Sequence, residues 1–160
     1  MSVVNELEEL SALVDRWAPG ASIQEETQQV VSVLHLPQGD VPVFLRYLRD
    51  AQLLQLVAFL PCDLVDRAVS DLGRFLHLIN KGLDRPGLGI DEVFRVVFYR
   101  LVLPCAQNGV DEQHLQEAWE AMEGVVETFC TYIRPVASGQ LDFTEVVTML
   151  ANQDEEALTT

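Results

Sequence analysis

The chain has 160 residues, 49% of them hydrophobic, and its 25 acidic against ten basic side chains give a formal net charge of −15. This length predicts one domain whose core needs no disulfide or metal, and the negative charge opposes binding to nucleic acid or to anionic membranes. The apolar runs are shorter than the roughly 20 residues that span a bilayer, and the acidic N-terminus is unlike a signal peptide. We therefore expect a cytoplasmic protein with one domain over residues 1–150 and an acidic, frayed tail over residues 151–160.

The first part of the chain predicts one helix followed by three strands. Apolar residues recur three or four apart over residues 2–17, which is the spacing of an amphipathic helix. Alternating side chains predict a strand within residues 22–36, and turn residues bound a second strand over 41–48. Residues 53–60 are almost wholly apolar and end before a proline, so they predict a third strand, buried in the sheet.

The middle of the chain predicts a helix and a hairpin. Asp63 is placed to cap a helix over residues 63–80, whose apolar surface is wide enough to cover the sheet and also to contact another molecule. Pro86 and Gly87 open the next strand, because neither residue favours a helix. After a turn at residues 91–92, the strand over 94–103 is apolar on both faces, which predicts a central strand covered on both sides by helices or by a partner.

The remaining residues predict two helices. Asp111 caps a long helix that Pro135 ends after Ile133, and a short helix follows over residues 141–150. The element order is therefore α-β-β-β-α-β-β-α. Short connections between the strands predict an antiparallel sheet of about five strands with helices packed on it, an α+β fold.

The residues that most often carry chemistry show no pattern typical of an active site or a metal site. The histidines and cysteines are widely spaced: His35, His77, His114, Cys62, Cys105 and Cys130. They form no CxxC and no zinc spacing, and we expect reduced, mostly buried thiols. We therefore expect no catalytic residue, no metal and no cofactor, although the fold could still bring Cys105 or Cys130 to His114.

Two charge features each allow two interpretations. Arg100 interrupts an apolar strand face, so it predicts an internal ion pair that fixes the hairpin against a helix, or else a recognition arginine. Residues 101–160 carry 11 acidic groups and one arginine, whereas residues 46–100 carry eight basic and seven acidic groups. The acidic C-terminal part predicts a solvated helix face, or else a docking surface for a basic segment.

Four short motifs carry a family resemblance: Asn80-Lys81, Pro86-Gly87-Leu88-Gly89-Ile90-Asp91, Val97-Phe98-Tyr99-Arg100, and Gly109-Val110-Asp111-Glu112 before the long helix. In these residues the chain resembles YbjN-domain proteins, especially the cyanobacterial ones, over about residues 22–150. That family is similar in fold to the CesT-like type III secretion chaperones, which are small, acidic, dimeric proteins that bind extended segments of other proteins. YbjN proteins are described as regulators of sensory transduction, and no established active site comes with the family.

The resemblance implies a homodimer with a binding role, and structural roles for five motif residues: Asn80, Pro86, Gly87, Tyr99 and Arg100. Together with the composition it predicts a non-catalytic protein-binding or regulatory module that has a protein partner and contacts neither nucleic acid nor membrane. One alternative is a chaperone of a secreted or partner protein. A second alternative, from another class, is an enzyme with a Cys–His or carboxylate site.

Overall fold

A computed structural model describes residues 2–105 and 109–158 of the chain and has the predicted α+β architecture. Most of the predicted helices and strands are present, with shifted ends and some additions. The elements in chain order are β1 (Val3–Val4), α1 (Leu7–Trp17), β2 (Ser22–Gln24), β3 (Gln29–Leu36), β4 (Gly39–Leu48), β5 (Leu53–Leu60), α2 (Val69–Gly82), β6 (Leu88–Asp91), β7 (Val96–Pro104), β8 (Val110–Asp111), α3 (Glu112–Ala137) and α4 (Phe143–Leu158).

The main sheet is antiparallel and has six strands in the order β2-β3-β4-β5-β7-β6. The pair β5–β7 joins strands that are separated in sequence by α2 and β6 and runs from Leu53 opposite Pro104 to Leu60 opposite Val97. Strands β1 and β8 form a separate two-stranded ribbon. The predicted count of about five strands therefore missed β2 and the small ribbon.

The helices form a layer on one face of the main sheet. Helix α1 packs against β2 and β3, α2 against β6, and α3 against β5 and β7, while α4 packs on α2 and α3. The inward side chains of alternate strand positions, among them Leu45, Leu56 and Tyr99, are fully buried under this layer. Because side chains alternate along a strand, the other half of the strand residues lies on the opposite face.

The first 36 residues differ from the sequence prediction at two places. The predicted helix over residues 2–17 begins only at Leu7, because Val3 and Val4 pair with β8 instead. The single strand predicted within residues 22–36 is a hairpin, in which Gln24 lies opposite Gln29. Gln28 makes the turn with a φ of 51°, a conformation that a hairpin turn needs and that glutamine seldom signals in a sequence.

The helix predicted over residues 63–80 starts later than expected. A single 3-10 turn over Asp66–Ala68 precedes α2, which begins at Val69 and ends at Gly82. Asp63 therefore lies outside the helix and does not cap it. Asp111, in contrast, caps α3 as predicted, because its Oδ1 accepts from the backbone N of His114 at 3.0 Å.

The C-terminal helices are both longer than predicted. Helix α3 continues through Pro135 to Ala137; a proline this close to the end of a helix removes one hydrogen bond, to the carbonyl of exposed Thr131, and is tolerated there. Helix α4 runs to Leu158 instead of ending at Leu150, and its residues from 151 onward are all exposed. In the described part of the chain, no helix has both the length and the apolar character to cross a membrane.

Candidate protein-binding surface

One face of the main sheet carries no helix, and we call it the open face. Its apolar residues come from the strand positions that point away from the helices: Val31, Val33, Pro42, Phe44, Val57, Phe59, Val96, Phe98 and Val102. Of the two alternatives predicted for β7, cover on both sides by helices is wrong, because only Val97, Tyr99 and Leu101 lie in the core while Val102 is 41% exposed. Cover of the second side by a partner stays a prediction. A continuous apolar sheet face of this kind typically marks an interaction site.

The open face is held together by side-chain pairs across neighbouring strands. Val31 lies opposite Phe44, and Phe44 in turn lies opposite Val57. The rings of Phe44 and Phe59 meet edge to face with their centroids 5.5 Å apart, an arrangement that stabilises aromatic pairs. These contacts restrain the side chains of the open face.

The open face carries no net charge, although the whole chain has a charge of −15. Its strand positions hold Arg46 and Arg100 against Asp40 and Asp91. His35 adds an ion pair with Asp40, at 2.7 Å, when the imidazole is protonated. A neutral apolar partner can therefore approach this face more easily than it can approach the acidic remainder of the surface.

Beside the open face, the β6–β7 turn presents two apolar side chains to solvent. Val93 and Phe94 are 85% and 77% exposed, so Phe94 lies in the turn and not in the strand that was predicted to start there. The Oδ1 atom of Asp91 accepts from both of their backbone N–H groups at 3.0 Å. Arg95, at a φ of 56°, donates to Asp66 and to the Leu64 carbonyl. Arg95 thus connects the β6–β7 hairpin to the segment that precedes α2. The sequence had suggested such a connection for Arg100.

Asn80 connects the end of α2 to the start of β6. Its Oδ1 accepts from the backbone N of Gly87 and of Leu88, both at 3.1 Å, and its Nδ2 donates to the Leu88 carbonyl at 2.9 Å. One side chain therefore satisfies three backbone groups at the start of β6. Tyr99 adds a second connection, because its buried hydroxyl donates to the Arg85 carbonyl at 2.7 Å.

Gly87 and Gly89 allow β6 to lie close against β7. A Cβ atom at Gly87 would be 2.1 Å from the backbone O of Arg100, and a Cβ atom at Gly89 would be 2.7 Å from the Phe98 ring. The Gly87 carbonyl accepts from the backbone N of Arg100 at 3.0 Å. Pro86 is exposed beside Gly87, just before β6 begins.

Four of the five motif residues line one groove of about 690 Å³, which we call the β7 groove. They are Asn80, Pro86, Gly87 and Arg100, and the remaining lining residues are Arg85, Leu88, Gly89, Phe98, Leu101, Val102 and Leu103. Arg100 is exposed, and the described residues contain no ion pair with it. The predicted internal ion pair at Arg100 is therefore wrong, whereas its alternative interpretation, a recognition arginine, agrees with this position.

The histidines and cysteines do not form a metal cluster among residues 2–105 and 109–158. All three histidines are exposed, and His114 is paired with its neighbour Asp111 at 3.7 Å. The cysteines are thiols without a disulfide; Cys105 and Cys130 are buried and Cys62 is half-buried. Burial raises the pKa of Cys62 to about 11 and raises the pKa of Cys105 and of Cys130. A raised pKa leaves little thiolate at neutral pH, so these thiols are poor nucleophiles there.

The helical layer carries the acidic side chains. Glu117, Glu120, Glu123 and Glu127 are all exposed along α3. Two of the glutamates on α3 pair with arginines elsewhere: Glu112 with Arg16 at 2.6 Å and Glu117 with Arg85 at 3.9 Å. The molecule therefore has an acidic helical side and a sheet side that carries no net charge.

The comparisons with known proteins find similar folds. No family model matches the sequence, and no curated protein matches it. Among solved structures, YbjN from E. coli, described as a proposed transcription regulator, superimposes with a TM-score of 0.54 at 17% identity, over 82% of this chain and 96% of YbjN. The chain has a YbjN-like fold. A chain of the ExsC–ExsE complex superimposes with a TM-score of 0.51 at 17% identity, over 82% of this chain and 98% of that one.

These matches confirm the resemblance in fold that the motifs predicted, including its similarity to type III secretion chaperones such as ExsC. The structural roles of the motif residues stay a prediction. The sequence had allowed a partner on β7 but had not indicated that the open face extends over β3, β4 and β5. Its signal was present: β3, β4 and β5 are apolar at both alternating positions. This hydrophobic pattern does not distinguish a strand that helices cover on both sides from a strand with one apolar side exposed.

Proposed function

We propose that this protein is a non-catalytic protein-binding or regulatory module of the cytoplasm, and that it acts as a homodimer joined through the open face. The observation that carries the proposal is the open face itself, an uncovered apolar sheet surface. In a monomer this surface would remain in contact with water at a cost of roughly 25 cal/mol for each Å² of apolar area. The three thiols without a disulfide agree with a reducing compartment.

A second copy is the occupant of the open face that the charges favour. Two chains of −15 repel each other over most of their surfaces. On the open face, however, Arg46 and Arg100 balance Asp40 and Asp91, so two copies can meet there without an excess of like charge. A strongly basic partner would instead be drawn to the glutamates of α3.

The protein-binding part of the proposal is also supported by the fold. YbjN is described as a proposed regulator, and the ExsC structure is that of a complex with ExsE. Neither neighbour suggests a reaction for this chain. The raised pKa values of the cysteines make a thiol-based enzyme the least supported of the alternatives.

Light scattering at micromolar concentration tests the dimer. We expect the mass of two chains for the natural protein and of one chain for Phe59→Glu, because this substitution places a charge in the middle of the open face. The matched control is Asn152→Glu, which adds a similar charge on exposed α4 and should leave the dimer intact. A monomeric natural protein, or a Phe59→Glu variant that still forms dimers, would show that the open face does not join two copies.

The chaperone alternative is supported by one structural neighbour, a chain of the ExsC–ExsE complex. It predicts a stable complex with one partner in a fixed ratio when the protein is purified from its native host. Mass spectrometry of such preparations separates the two roles, because a regulator need not retain one stoichiometric partner. Repeated preparations without such a partner would argue against the chaperone role.

A further inference from the structure

Strand β7 has a free edge over its last four residues. On one side it pairs with β5 from Val97 opposite Leu60 to Pro104 opposite Leu53. On the other side its pairing with β6 ends at Tyr99 opposite Leu88, followed by one hydrogen bond from Arg100 N to the Gly87 carbonyl. Among residues 2–105 and 109–158, no strand lies beside Leu101–Pro104 on that side.

The chain leaves the sheet at Pro86. The preceding residue, Arg85, is held toward the helix layer by the bond from the Tyr99 hydroxyl to its carbonyl. The space that a longer β6 would have occupied is the β7 groove of about 690 Å³. The groove therefore lies along an unpaired strand edge, at the position of a missing strand.

The free edge offers backbone groups to a further strand. Alternate residues of a strand direct their N–H and C=O groups to the same side. The Arg100 N–H is directed toward β6, so the N–H and C=O of Val102 are directed into the β7 groove. An extended peptide can bind such an edge by adding a strand to the sheet.

The charge of the β7 groove indicates which kind of peptide segment would bind as the added strand. Two of its 11 lining residues are arginines and, of the described residues that line it, none is acidic, in a chain where acidic side chains outnumber basic ones 25 to ten. Arg85 already has Glu117 within 3.9 Å, which leaves Arg100 for a ligand. We propose that the β7 groove binds an extended segment of a partner protein, antiparallel to Leu101–Pro104, with a glutamate that reaches Arg100.

The pattern of the segment follows from the two faces of β7. Val102 and Arg100 point to the open face, so a glutamate opposite Val102 lies diagonally next to Arg100, within reach of a long side chain. The residues on either side of this glutamate point toward the side of Leu101 and Leu103 and should be apolar. The expected motif is an apolar residue, a glutamate and an apolar residue in an extended conformation.

Other occupants fit the β7 groove less well. A second copy pairing by its own β7 edge would bring two more arginines, Arg85 and Arg100, into a groove that already holds two. A basic segment would meet the same repulsion. This inference rests on the proposed protein-binding function. It does not require the homodimer, because the backbone contacts of the peptide are made along the strand edge, although Phe98, Arg100 and Val102 line the groove and also belong to the open face.

The test is a pair of fluorescein-labelled synthetic peptides, Ser-Thr-Val-Glu-Val-Thr-Ser and the same peptide with lysine in place of glutamate, titrated with the full-length protein. A salt concentration of about 0.3 M shortens the range of the overall negative charge, which would otherwise favour the lysine peptide everywhere. We expect saturable binding of the glutamate peptide below about 1 mM, roughly three- to tenfold tighter than the lysine peptide. Absence of saturation for both peptides, or equal affinity, would overturn the proposal.

Two variants locate the binding. Arg100→Glu should invert the preference between the two peptides, and because Arg100 is exposed the fold should be unaffected. Val102→Pro removes the N–H directed into the β7 groove but no bond to β5, so it should weaken both peptides by a similar factor; Val102→Thr is its matched control. If neither variant changes the affinities, the peptides bind elsewhere and the proposal is wrong, while a partner found by co-purification would still support the protein-binding function.

Discussion

At the residue scale, Gly87 is the glycine at which an added Cβ atom would come nearest to another atom, in the backbone of β7. A Cβ atom here would be 2.1 Å from the Arg100 carbonyl oxygen, and a backbone atom cannot move aside as a flexible side chain can. We expect Gly87→Ala to lower the free energy of unfolding by about 1–3 kcal/mol, measured by urea denaturation.

Gly73 provides the matched control for this prediction. It lies exposed inside α2, and an added Cβ atom would meet nothing within 4 Å. Gly73→Ala should raise the free energy of unfolding by about 0.5–1 kcal/mol, because alanine favours the helix. If both substitutions changed the stability in the same direction, close packing would not be the reason for glycine at position 87.

The buried acidic groups predict how stability depends on pH. Burial raises the pKa of Cys62 from 9.0 to about 11 and also raises the pKa values of Cys105, Cys130, Tyr47 and Tyr99. Between pH 9 and 11 the unfolded Cys62 thiol loses its proton while the folded one keeps it, so stability falls as pH rises. Urea midpoints at pH 8, 9 and 10 should fall for the natural protein and fall less steeply for Cys62→Ala. An equal slope in both proteins would mean that Cys62 does not contribute.

Single-residue roles could be predicted from the sequence only where the interaction is local. The cap by Asp111 was predicted because its partner, the His114 backbone, is three residues away. For Arg100 the buried ion pair was one of two interpretations, because the sequence gives the spacing along a strand but not which sheet face the helices cover. The contact of Arg95 with Asp66 was not predicted, because the two residues lie 29 positions apart in the sequence.

At the element scale, Asn80 connects the end of α2 to the start of β6 by hydrogen bonds. We expect Asn80→Ala to cost about 2 kcal/mol or more in the free energy of unfolding, because the backbone groups of Gly87 and Leu88 lose their hydrogen bonds in a half-buried place. The affinity of the β7 groove for the glutamate peptide should fall as well, since Asn80 and Gly87 both line it.

Asn80→Asp tests which of the Asn80 hydrogen bonds stabilise the connection between α2 and β6. The carboxylate still accepts from the N–H groups of Gly87 and Leu88 and loses only the donor to the Leu88 carbonyl. Its cost should therefore be smaller than that of alanine at the same pH. If aspartate lowered the free energy of unfolding more than alanine, the bond that Asn80 donates, and not the bonds it accepts, would stabilise this connection.

Most elements could be predicted because hydrophobic period and turn residues agree over long segments, as in α3 and β5. The predictions were wrong where a single residue adopts a conformation that its local sequence does not favour. Gln28 adopts a left-handed turn that splits the predicted first strand, and Pro135 lies where α3 can lose a hydrogen bond without ending. Short strands such as β1 have too few residues for any periodicity to show.

At the scale of the whole molecule, charge and apolar surface are segregated. Glutamates cover the helical side, while the strands present a neutral apolar face and an arginine-bearing groove at the edge. The composition could predict an acidic, globular chain, and the resemblance could predict a fold like that of YbjN and ExsC. Neither could predict the open face, because the separation of the two sides arises only when the helices pack on one side of the sheet.

This segregation predicts an unusual dependence of the homodimer on salt. The apolar contact at the open face is insensitive to screening, whereas repulsion between two chains of −15 acts over long distances and weakens as the Debye length falls from about 10 Å at 0.1 M to about 3 Å at 1 M. Sedimentation equilibrium should therefore show tighter dimers as sodium chloride is raised, and Phe59→Glu should remain monomeric throughout. Dimers that dissociate with added salt would mean that ion pairs, such as those available to Arg46 and Asp91, join the two copies instead of the aromatic and aliphatic surface.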